Sequence, residues 1–387
     1  MELASWPFYT KEEIEKVKKV LISGKVNYWT GSETKLFEKE FANDISVNFS
    51  VAFANGTLAL SAAYLAIGIK NGDEIITTPR TFIATSSTIA LLGAIPIFAD
   101  VDINSGNITA QTIEPLITKA TKAISIVHLG GWPADMDSIY YLAKKYNLIL
   151  LEDCSQAHGA SIKGRKIGSF GDISTWSFCQ DKIISTGGEG GMVTTNNEEI
   201  YKKVWSLKDH GKSLDIIQKT DKNNYSFKWI HENLGSNCRL TEMQSAIGRI
   251  QLRNLSETNK LRKRNACILF NHLKNVPSVR VPFPPSYLNH AWYKFYAYLK
   301  KDKLKDNWDR EKIIAQLNKK GAKTFSGSCS EIYLEKCFKK ISPKKRLPAA
   351  KELGETSLMF LVHPTINEEQ MNKYSQIIKE VLLKASK

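Results

Sequence analysis

The sequence of 387 residues predicts an α/β protein whose main sheet is mostly parallel. Between about residues 50 and 200, short β-rich apolar runs alternate with helical patterns. The runs are continuously apolar, which is typical of strands covered by helices on both faces. After about residue 205 a polar connection and a long helical run replace this alternation. The sequence therefore indicates one large sheet domain followed by something smaller.

The alternation can be followed from strand to helix along the chain. SVAFA precedes the helical pattern NGTLALSAAYLAIG, DEIITTP precedes TFIATSSTIALLGA, and IPIFADVD precedes a helix near QTIEPLITK. AISIVHL precedes DMDSIYYLAKKY, and LILLEDCS is followed by two further strand-like runs, DISTWSFC and GMVTTN. Each unit fits a strand that crosses over through a helix.

The last third predicts a smaller domain of mixed composition. In TEMQSAIGRIQLRNLSETNK, Met243, Ile247 and Ile250 form an apolar stripe at helical spacing, which Asn254 interrupts. Strand-like YKFYAYL, helical DREKIIAQLNKKGA and a closing helix NEEQMNKYSQIIKEVLLK follow. We expect a large domain over residues 1–250 and a small α+β domain over residues 251–387.

Composition excludes some classes of protein. Hydrophobic residues make up 42% and charged residues 24% of the chain, as in ordinary globular proteins. The N-terminus lacks a secretory pattern and no apolar run reaches the roughly 18 residues of a membrane helix, so we expect a cytoplasmic protein. The six scattered cysteines form no CxxC pair, so neither a disulfide framework nor a zinc site is predicted.

The formal net charge of +15 leaves several kinds of partner open. It can reflect a lysine-rich solvated surface, a phosphate-bearing small substrate, or nucleic acid. No nucleic-acid motif or run of interleaved stacking aromatics accompanies the basic residues, so no nucleic-acid partner is predicted.

Two glycine-containing motifs are candidates for a phosphate contact, and only the first has the features of one. Asn55 to Thr57, NGT, lies where a strand ends and a helix begins, so its backbone N–H groups and the helix dipole favour an anion. The same residues would also serve as a simple helix cap. The run Gly187 to Gly191 has neither phosphate-loop spacing nor a following helix, and we interpret it as a tight turn beside the site.

Charged side chains follow the strand LILLED. Asp153 is one residue beyond Glu152, so the two carboxylates point to opposite faces of the strand, at the edge where α/β sheets bind ligands. His158 could be a base, although a single histidine is more often a hydrogen-bonded structural residue. Lys182 alone would be interpreted as a surface charge. No metal site is predicted, because no cluster of ligands has suitable spacing.

Taken together, these motifs match one cofactor. A phosphate corner, a strand-end aspartate, an aromatic residue in PRTFIAT and a later lysine would contact a phosphate, a protonatable ring nitrogen, a flat ring face and an aldehyde. Pyridoxal 5'-phosphate has all four groups. The combination is more specific than any single motif.

The sequence also resembles the DegT/StrS group of sugar-nucleotide aminotransferases, within the fold-type I pyridoxal-phosphate enzymes of the aspartate aminotransferase superfamily. The resemblance spans nearly the whole chain. It rests on GKVNYWTGSETKLFEKEFA, NGTLAL, PRTFIATSSTIALLGAIPIFADVD, the block from LEDCSQAHGA to GGEGGMVTT, LGSNCRLTEMQSAIGRIQL and LVHP. It implies a mostly parallel seven-stranded sheet between helices, a smaller C-terminal domain and a homodimer with shared active sites.

The resemblance further implies the role of each site residue. Lys182 would be the catalytic residue, joined to the cofactor aldehyde and later acting as general base and acid. The cofactor would be held by the following residues: Gly56, Thr57 and Ser177 at the phosphate, Phe82 on one ring face, Asp153 at the pyridine nitrogen, Gln156 at the ring hydroxyl, and Asn237 reaching the phosphate from the neighbouring subunit.

The implied reaction moves an amino group from an amino acid, by analogy glutamate, to a nucleoside-diphosphate-linked keto-deoxysugar. Such a product would serve amino-sugar synthesis for a surface polysaccharide such as lipopolysaccharide O-antigen. Relatives that dehydrate sugars have histidine in place of the lysine, so Lys182 favours transamination. The alternative function from a different class is that of a non-catalytic regulatory protein. The polar CQD before Lys182 departs from many relatives, and the role of residues 212–232, as pocket wall or surface loop, stays open.

Overall fold

The computed structural model describes residues 3–219 and 229–387. In the first half the elements are α1 (Lys11–Ser23), α2 (Glu33–Ile45), β1 (Phe49–Phe53), α3 (Gly56–Ala66), β2 (Glu74–Thr77), α4 (Ala84–Leu91), β3 (Ile95–Phe98), α5 (Ala110–Ile113), β4 (Thr121–Val127), α6 (Met136–Lys145), β5 (Ile149–Asp153), β6 (Ser161–Ile162), β7 (Arg165–Lys166), β8 (Ile173–Ser177), β9 (Gly191–Thr195) and α7 (Glu198–Lys208). They are followed by α8 (Leu214–Lys219), α9 (Glu242–Arg253), α10 (Leu255–Leu273), β10 (Val279–Arg280), β11 (Leu288–Asn289), β12 (Phe295–Leu299), α11 (Arg310–Lys319), β13 (Thr324–Phe325), α12 (Pro348–Thr356), β14 (Ser357–Phe360) and α13 (Glu368–Ala385).

The large sheet has seven strands in the order β1-β9-β8-β5-β4-β2-β3. All neighbouring strands from β8 to β3 are parallel, and β9 runs antiparallel to both of its neighbours, β8 and β1. The predicted fold, a mostly parallel seven-stranded sheet, is therefore confirmed.

The sheet is apolar on both faces because consecutive strand residues enter different cores. Ile76 and Leu150 belong to one buried cluster, whereas their neighbours Ile75 and Leu151 belong to another on the opposite face. Burying both faces removes a large apolar area from water, at about 25 cal/mol for each Å². This explains why the strands read as continuous apolar runs.

A second sheet and core lie towards the C-terminus. The four strands are ordered β10-β12-β14-β13, and they pack with α10, α11 and α13 around a separate buried cluster that also contains Leu3. A third sheet joins the short strands β11, β6 and β7. A division at residue 250 would fall inside α9, and it stays a proposal.

Several local predictions need correction. The QTIEPLITK helix is only the single turn α5 followed by a 3₁₀ turn, Glu114–Leu116. Met243 and Ile247 are half-buried, and the buried face of α9 is formed instead by Glu242, Ser245, Ala246, Gly248, Ile250 and Leu252. The helix does end at Arg253, and Asn254 separates it from α10.

Within residues 3–219 and 229–387, no helix combines the length and the apolar character that crossing a membrane requires.

Candidate active site

The candidate site lies at the edge of the large sheet where the parallel strands end. Asp153 is the last residue of β5 and Ser177 the last of β8. The two strands are neighbours, with Asp153 paired to Thr175. Chain topology therefore brings Asp153 and Ser177, which are separated along the sequence, to one edge of the sheet.

The corner between β1 and α3 forms a compact turn against β8. The Asn55 side chain caps the helix by accepting from the Leu58 N–H at 2.9 Å. A Cβ added to Gly56 would lie 2.7 Å from Ser177 Cβ and 3.1 Å from its Oγ. Only glycine therefore allows this close approach, which places the Ser177 hydroxyl beside the N-terminus of α3. A helix N-terminus with a hydroxyl next to it suits a phosphate group.

The glycine run lies against the same corner. Gly187 and Gly188 have φ of +84° and +132°, which form a tight turn before β9. A Cβ on Gly191 would lie 2.5 Å from the carbonyl oxygen of Asn55. The first residue of β9, directly after the tight turn, thus lies close to the β1–α3 corner.

The two consecutive carboxylates have different surroundings. Asp153 is 4% exposed, and its Oδ2 accepts from the Thr85 hydroxyl at 2.9 Å while Oδ1 accepts from the Ser155 N–H at 3.2 Å. Glu152 points to the other face, where its Oε2 lies 3.2 Å from His128 Nε2. Asp153 therefore faces the site and Glu152 the interior.

Glu152 is the centre of a buried hydrogen-bond network. It accepts backbone N–H groups at 2.7 to 2.9 Å from Gly168, Phe170 and Gly171. Burial alone would raise the pKa of Glu152, but His128 and these N–H groups lower it below its usual value. Because His128 Nδ1 accepts from the Ala134 N–H at 3.1 Å, its Nε2 carries the proton donated to Glu152.

Cys154 lies near the same pair, and its sulfur, with His128 and Glu152, could in principle surround a metal ion. Burial raises the pKa of the Cys154 thiol well above its usual value, with Glu152 and Asp153 adding to the effect. The ligand atoms of His128 and Glu152 are already occupied by hydrogen bonds within the fold. We interpret the group as structural.

Lys182 lies on the turn that joins β8 to β9. Its side chain is 15% exposed. Its Nζ lies 3.4 Å from the Tyr293 hydroxyl and 3.9 Å from Asp181 Oδ1. The backbone of the turn is held from another direction, because Trp6 Nε1 donates to the Lys182 carbonyl at 3.0 Å. The amino group is thus largely buried, and it donates a long hydrogen bond to Tyr293.

Gln156 and His158 follow Asp153 on the same loop. Gln156 is buried, and its Oε1 accepts from the Gly130 N–H at 2.7 Å, so its amide nitrogen is the remaining donor. His158 packs between the rings of Trp176 and Phe178. Burial lowers the pKa of His158 to about 3, with the nearby charges of Lys182 and Arg262 adding to this. It is neutral near pH 7, and we interpret it as a structural residue.

Three expected site residues are exposed in this single chain. Phe82, which follows β2, has 67% of its surface exposed, and Thr57 is exposed in the first turn of α3. Asn237 is exposed and pairs through its backbone with Asp209. Of residues 212–232, the part from 220 to 228 lies outside the described residues, so the role of this segment stays open.

Three groups at this edge of the sheet correspond to three parts of pyridoxal phosphate. At the corner, Gly56 packs so closely against Ser177 that a Cβ would collide with it, and the Ser177 hydroxyl therefore lies beside the start of α3. Asp153 is a buried carboxylate at the strand end, and Lys182 presents a primary amine in the turn that follows Ser177. Phosphate, ring nitrogen and aldehyde thus each have a suitable group, and the residues present fit the cofactor.

The sequence interpretation missed the residues that surround Lys182 and Asp153. Tyr293 and Lys294 were assigned to a strand, but β12 begins only at Phe295. Trp6 carried no motif, and Thr85 lies in PRTFIAT but was given no role of its own. Among the residues next to Lys182, Asp181 was indicated by the sequence, because it belongs to the polar CQD turn.

Comparisons with known proteins identify the family. A model of the DegT/DnrJ/EryC1/StrS aminotransferase family matches residues 7–379. The X-ray structure of an aminotransferase from Psychrobacter cryohalolentis is 47% identical, with a TM-score of 0.96 over 99% of each chain.

Curated relatives agree. UDP-N-acetyl-3-dehydro-alpha-D-glucosamine 3-aminotransferase of Acidithiobacillus ferrooxidans is 34% identical over 352 residues, covering 91% of this chain and 89% of that protein. GDP-perosamine synthase of Escherichia coli O157:H7 is 39% identical over 277 residues, covering 70% and 71%. The predicted aminotransferase resemblance is confirmed. The chain belongs to the DegT/DnrJ/EryC1/StrS aminotransferase family, which is pyridoxal-phosphate dependent and of fold type I.

Proposed function

We propose that this aminotransferase moves an amino group from an amino acid, with glutamate as the expected donor, to a nucleoside-diphosphate-linked keto-deoxysugar. The amino sugar would serve synthesis of a surface polysaccharide such as lipopolysaccharide O-antigen. The observation that supports the proposal is that Asp153 and Ser177 end neighbouring strands, that Gly56 packs against Ser177, and that the turn after Ser177 carries the largely buried Lys182. The acceptor class is suggested by relatives that are named for nucleotide sugars.

Each residue of the site would have a physical task. Pyridoxal phosphate, when bound, supplies an aldehyde that links to an amine and a ring that accepts electrons from the bond being broken. Asp153, held by Thr85, would keep the ring nitrogen protonated, because a buried carboxylate favours a neighbouring positive charge. Lys182 Nζ would take the proton from the substrate carbon and return it.

The remaining residues would bind and orient. Backbone N–H groups at Gly56 and Thr57, with the Ser177 hydroxyl, would hold the phosphate at the start of α3. The Gln156 amide nitrogen would donate to the ring hydroxyl, and Phe82 would cover one ring face.

We further propose that the active enzyme is a homodimer, with Asn237 completing the phosphate site of the neighbouring subunit. Asn237 is exposed, and the nearby Leu234 has 94% of its surface exposed. Covering an exposed leucine and supplying an amide to an anion site would both be achieved by one interface.

The first experiment tests Lys182. Purified protein should carry a yellow chromophore, and borohydride should fix the cofactor to Lys182, as read by peptide mass spectrometry. Lys182→Ala should abolish amino transfer, whereas the exposed Lys163→Ala should not. A wild-type protein without the cofactor, or an adduct on another lysine, would contradict the proposal.

The second experiment tests the acceptor. A panel of nucleotide keto-sugars is incubated with glutamate, and products are scored by mass. We expect replacement of a keto oxygen by an amino group. A dehydrated sugar without nitrogen would instead support the dehydratase alternative, and no turnover of any nucleotide sugar would favour a regulatory role.

A further inference from the structure

The residue before Lys182 has a role that its family resemblance does not explain. Asp181 lies in the polar CQD turn, directly before Lys182. Its side chain is about half exposed, at 47%, yet it is held on one side by the hydroxyl of Tyr293, which donates to Oδ2. A turn residue of the large domain is thus bonded to a residue that precedes β12 of the second sheet.

Tyr293 connects Asp181 with the amino group of Lys182. Its hydroxyl donates to Asp181 and accepts from Lys182 Nζ at 3.4 Å. Lys182 Nζ also lies 4.9 Å from the centre of the Tyr293 ring. The three groups form a directional chain, in which the ammonium donates to the phenol and the phenol to the carboxylate.

The protonation states keep this direction fixed. Burial would raise the pKa of Asp181, but Lys182, the Tyr293 hydroxyl and Lys294 outweigh it and lower the pKa below its usual value. Burial, followed by the charge of Asp181, raises the pKa of Tyr293 well above its usual value. Asp181 therefore stays an acceptor and Tyr293 a donor across the neutral range.

Asp181 also forms an ion pair with a second lysine, Lys294. Lys294 Nζ lies 3.8 Å from Asp181 Oδ2 and 4.6 Å from the centre of the Tyr293 ring. Burial lowers the pKa of Lys294 to about 8, an effect that Asp181 opposes and Arg262 and Lys182 reinforce. Within residues 3–219 and 229–387, Asp181 is the only carboxylate paired with either lysine.

We propose that Tyr293 and Asp181 are positioning residues, which hold the amino group of Lys182 in place whenever it is not attached to the cofactor. The proposal rests on the proposed role of Lys182. The lysine leaves the cofactor in the first half-reaction, when the donor amine displaces it, and returns at the end of the second, when it displaces the amino product. Lys182 Nζ gives up a proton before it re-attaches, and the neutral amine can still donate to the Tyr293 hydroxyl. A held amine loses less rotational freedom on return, so re-attachment is faster.

The test uses the full-length protein and two isosteric variants, Tyr293→Phe and Asp181→Asn. Cofactor is removed, pyridoxal phosphate is added back, and growth of the visible band is followed by stopped flow. The pH titration of that band in the loaded protein is the second measurement. Both variants should slow the capture by about tenfold, since a hydrogen bond to a charged group is lost. In both variants, the midpoint of the pH titration of the visible band should also move to lower pH. Asp181→Glu should restore part of the effect.

A matched pair elsewhere in the chain supplies the control. Tyr333 donates to Glu331 Oε1 at 2.5 Å, the same phenol-to-carboxylate arrangement without Lys182. Tyr333→Phe and Glu331→Gln should leave capture rate and titration unchanged. If Tyr293→Phe fails to fold, the half-exposed Asp181→Asn carries the test.

The possible outcomes separate the two proposals. Capture at the wild-type rate with an unchanged titration, or equal slowing in the control pair, overturns the positioning role. A wild-type protein that forms no visible band on Lys182 overturns instead the proposed function.

Discussion

The adjacent carboxylates allow a matched comparison of Glu152→Gln with Asp153→Asn. An amide at Glu152 replaces one acceptor oxygen by a donor. In one orientation the new NH₂ group faces the N–H groups of Phe170 and Gly171, and in the other it faces those of Gly168 and His128. Either orientation leaves two buried donors unpaired.

The magnitude follows from that count. An unpaired buried donor costs about 1–3 kcal/mol, so the two together cost about 2–6 kcal/mol in the free energy of unfolding. The free energy of unfolding of a native protein is only about 5–15 kcal/mol in total. At Asp153 the amide can donate to the Thr85 hydroxyl, which rotates to accept, so we expect a loss of less than about 1 kcal/mol.

Urea denaturation of the cofactor-free proteins measures both variants, with pyridoxal-phosphate titration as the functional assay. Glu152→Gln should have a much lower urea midpoint. Asp153→Asn should keep its midpoint and lose amino transfer. The exposed Glu114→Gln is the control for removing a carboxylate, with little change in midpoint. Equal midpoints for Glu152→Gln and Asp153→Asn would refute the reasoning.

Three further predictions concern the cofactor corner, the subunit boundary and acid stability. Gly56→Ala should weaken pyridoxal-phosphate binding in an absorbance titration, because its Cβ would lie 2.7 Å from Ser177 Cβ; unchanged affinity would show that the corner does not hold phosphate, and Ser177→Gly in the same protein should relieve the clash. Inactive Asn237→Ala and Lys182→Ala proteins, mixed under subunit exchange, should regain activity, since one site of the hybrid has both residues; no recovery would argue against shared sites. Because the pKa of Glu152 is lowered in the folded protein, its stabilisation is present above the usual carboxyl pKa and is lost as the pH falls through the folded value. Urea midpoints should thus decline from about pH 6 to pH 3, less steeply in Glu152→Gln.

The large sheet could be predicted because burial on both faces gives β1, β2, β4, β5 and β8 apolar residues that face each of the two cores. The strand-end positions of Asp153 and Ser177 followed from that assignment. The third sheet could not be predicted, because strands of two residues leave no periodic pattern.

The surroundings of Lys182 could not be predicted for a different reason. Tyr293 and Asp181 are 112 positions apart, and Trp6 and Lys182 are 176 apart. Such contacts depend on how the two sheets and the N-terminal segment pack, and no local pattern encodes them. The individual site residues carried over from the family resemblance stay predictions.

The pairing of β1 with β9 bears on the order of folding events. Phe53 pairs with Gly191 and Phe49 with Thr195, so the edge of the sheet closes a chain loop of well over one hundred residues. Closing long loops is slow, since the entropy is lost before the contacts form. The turn that carries Lys182 is anchored on its far side by β9. Its final shape should therefore form late in folding, after the parallel strands have assembled.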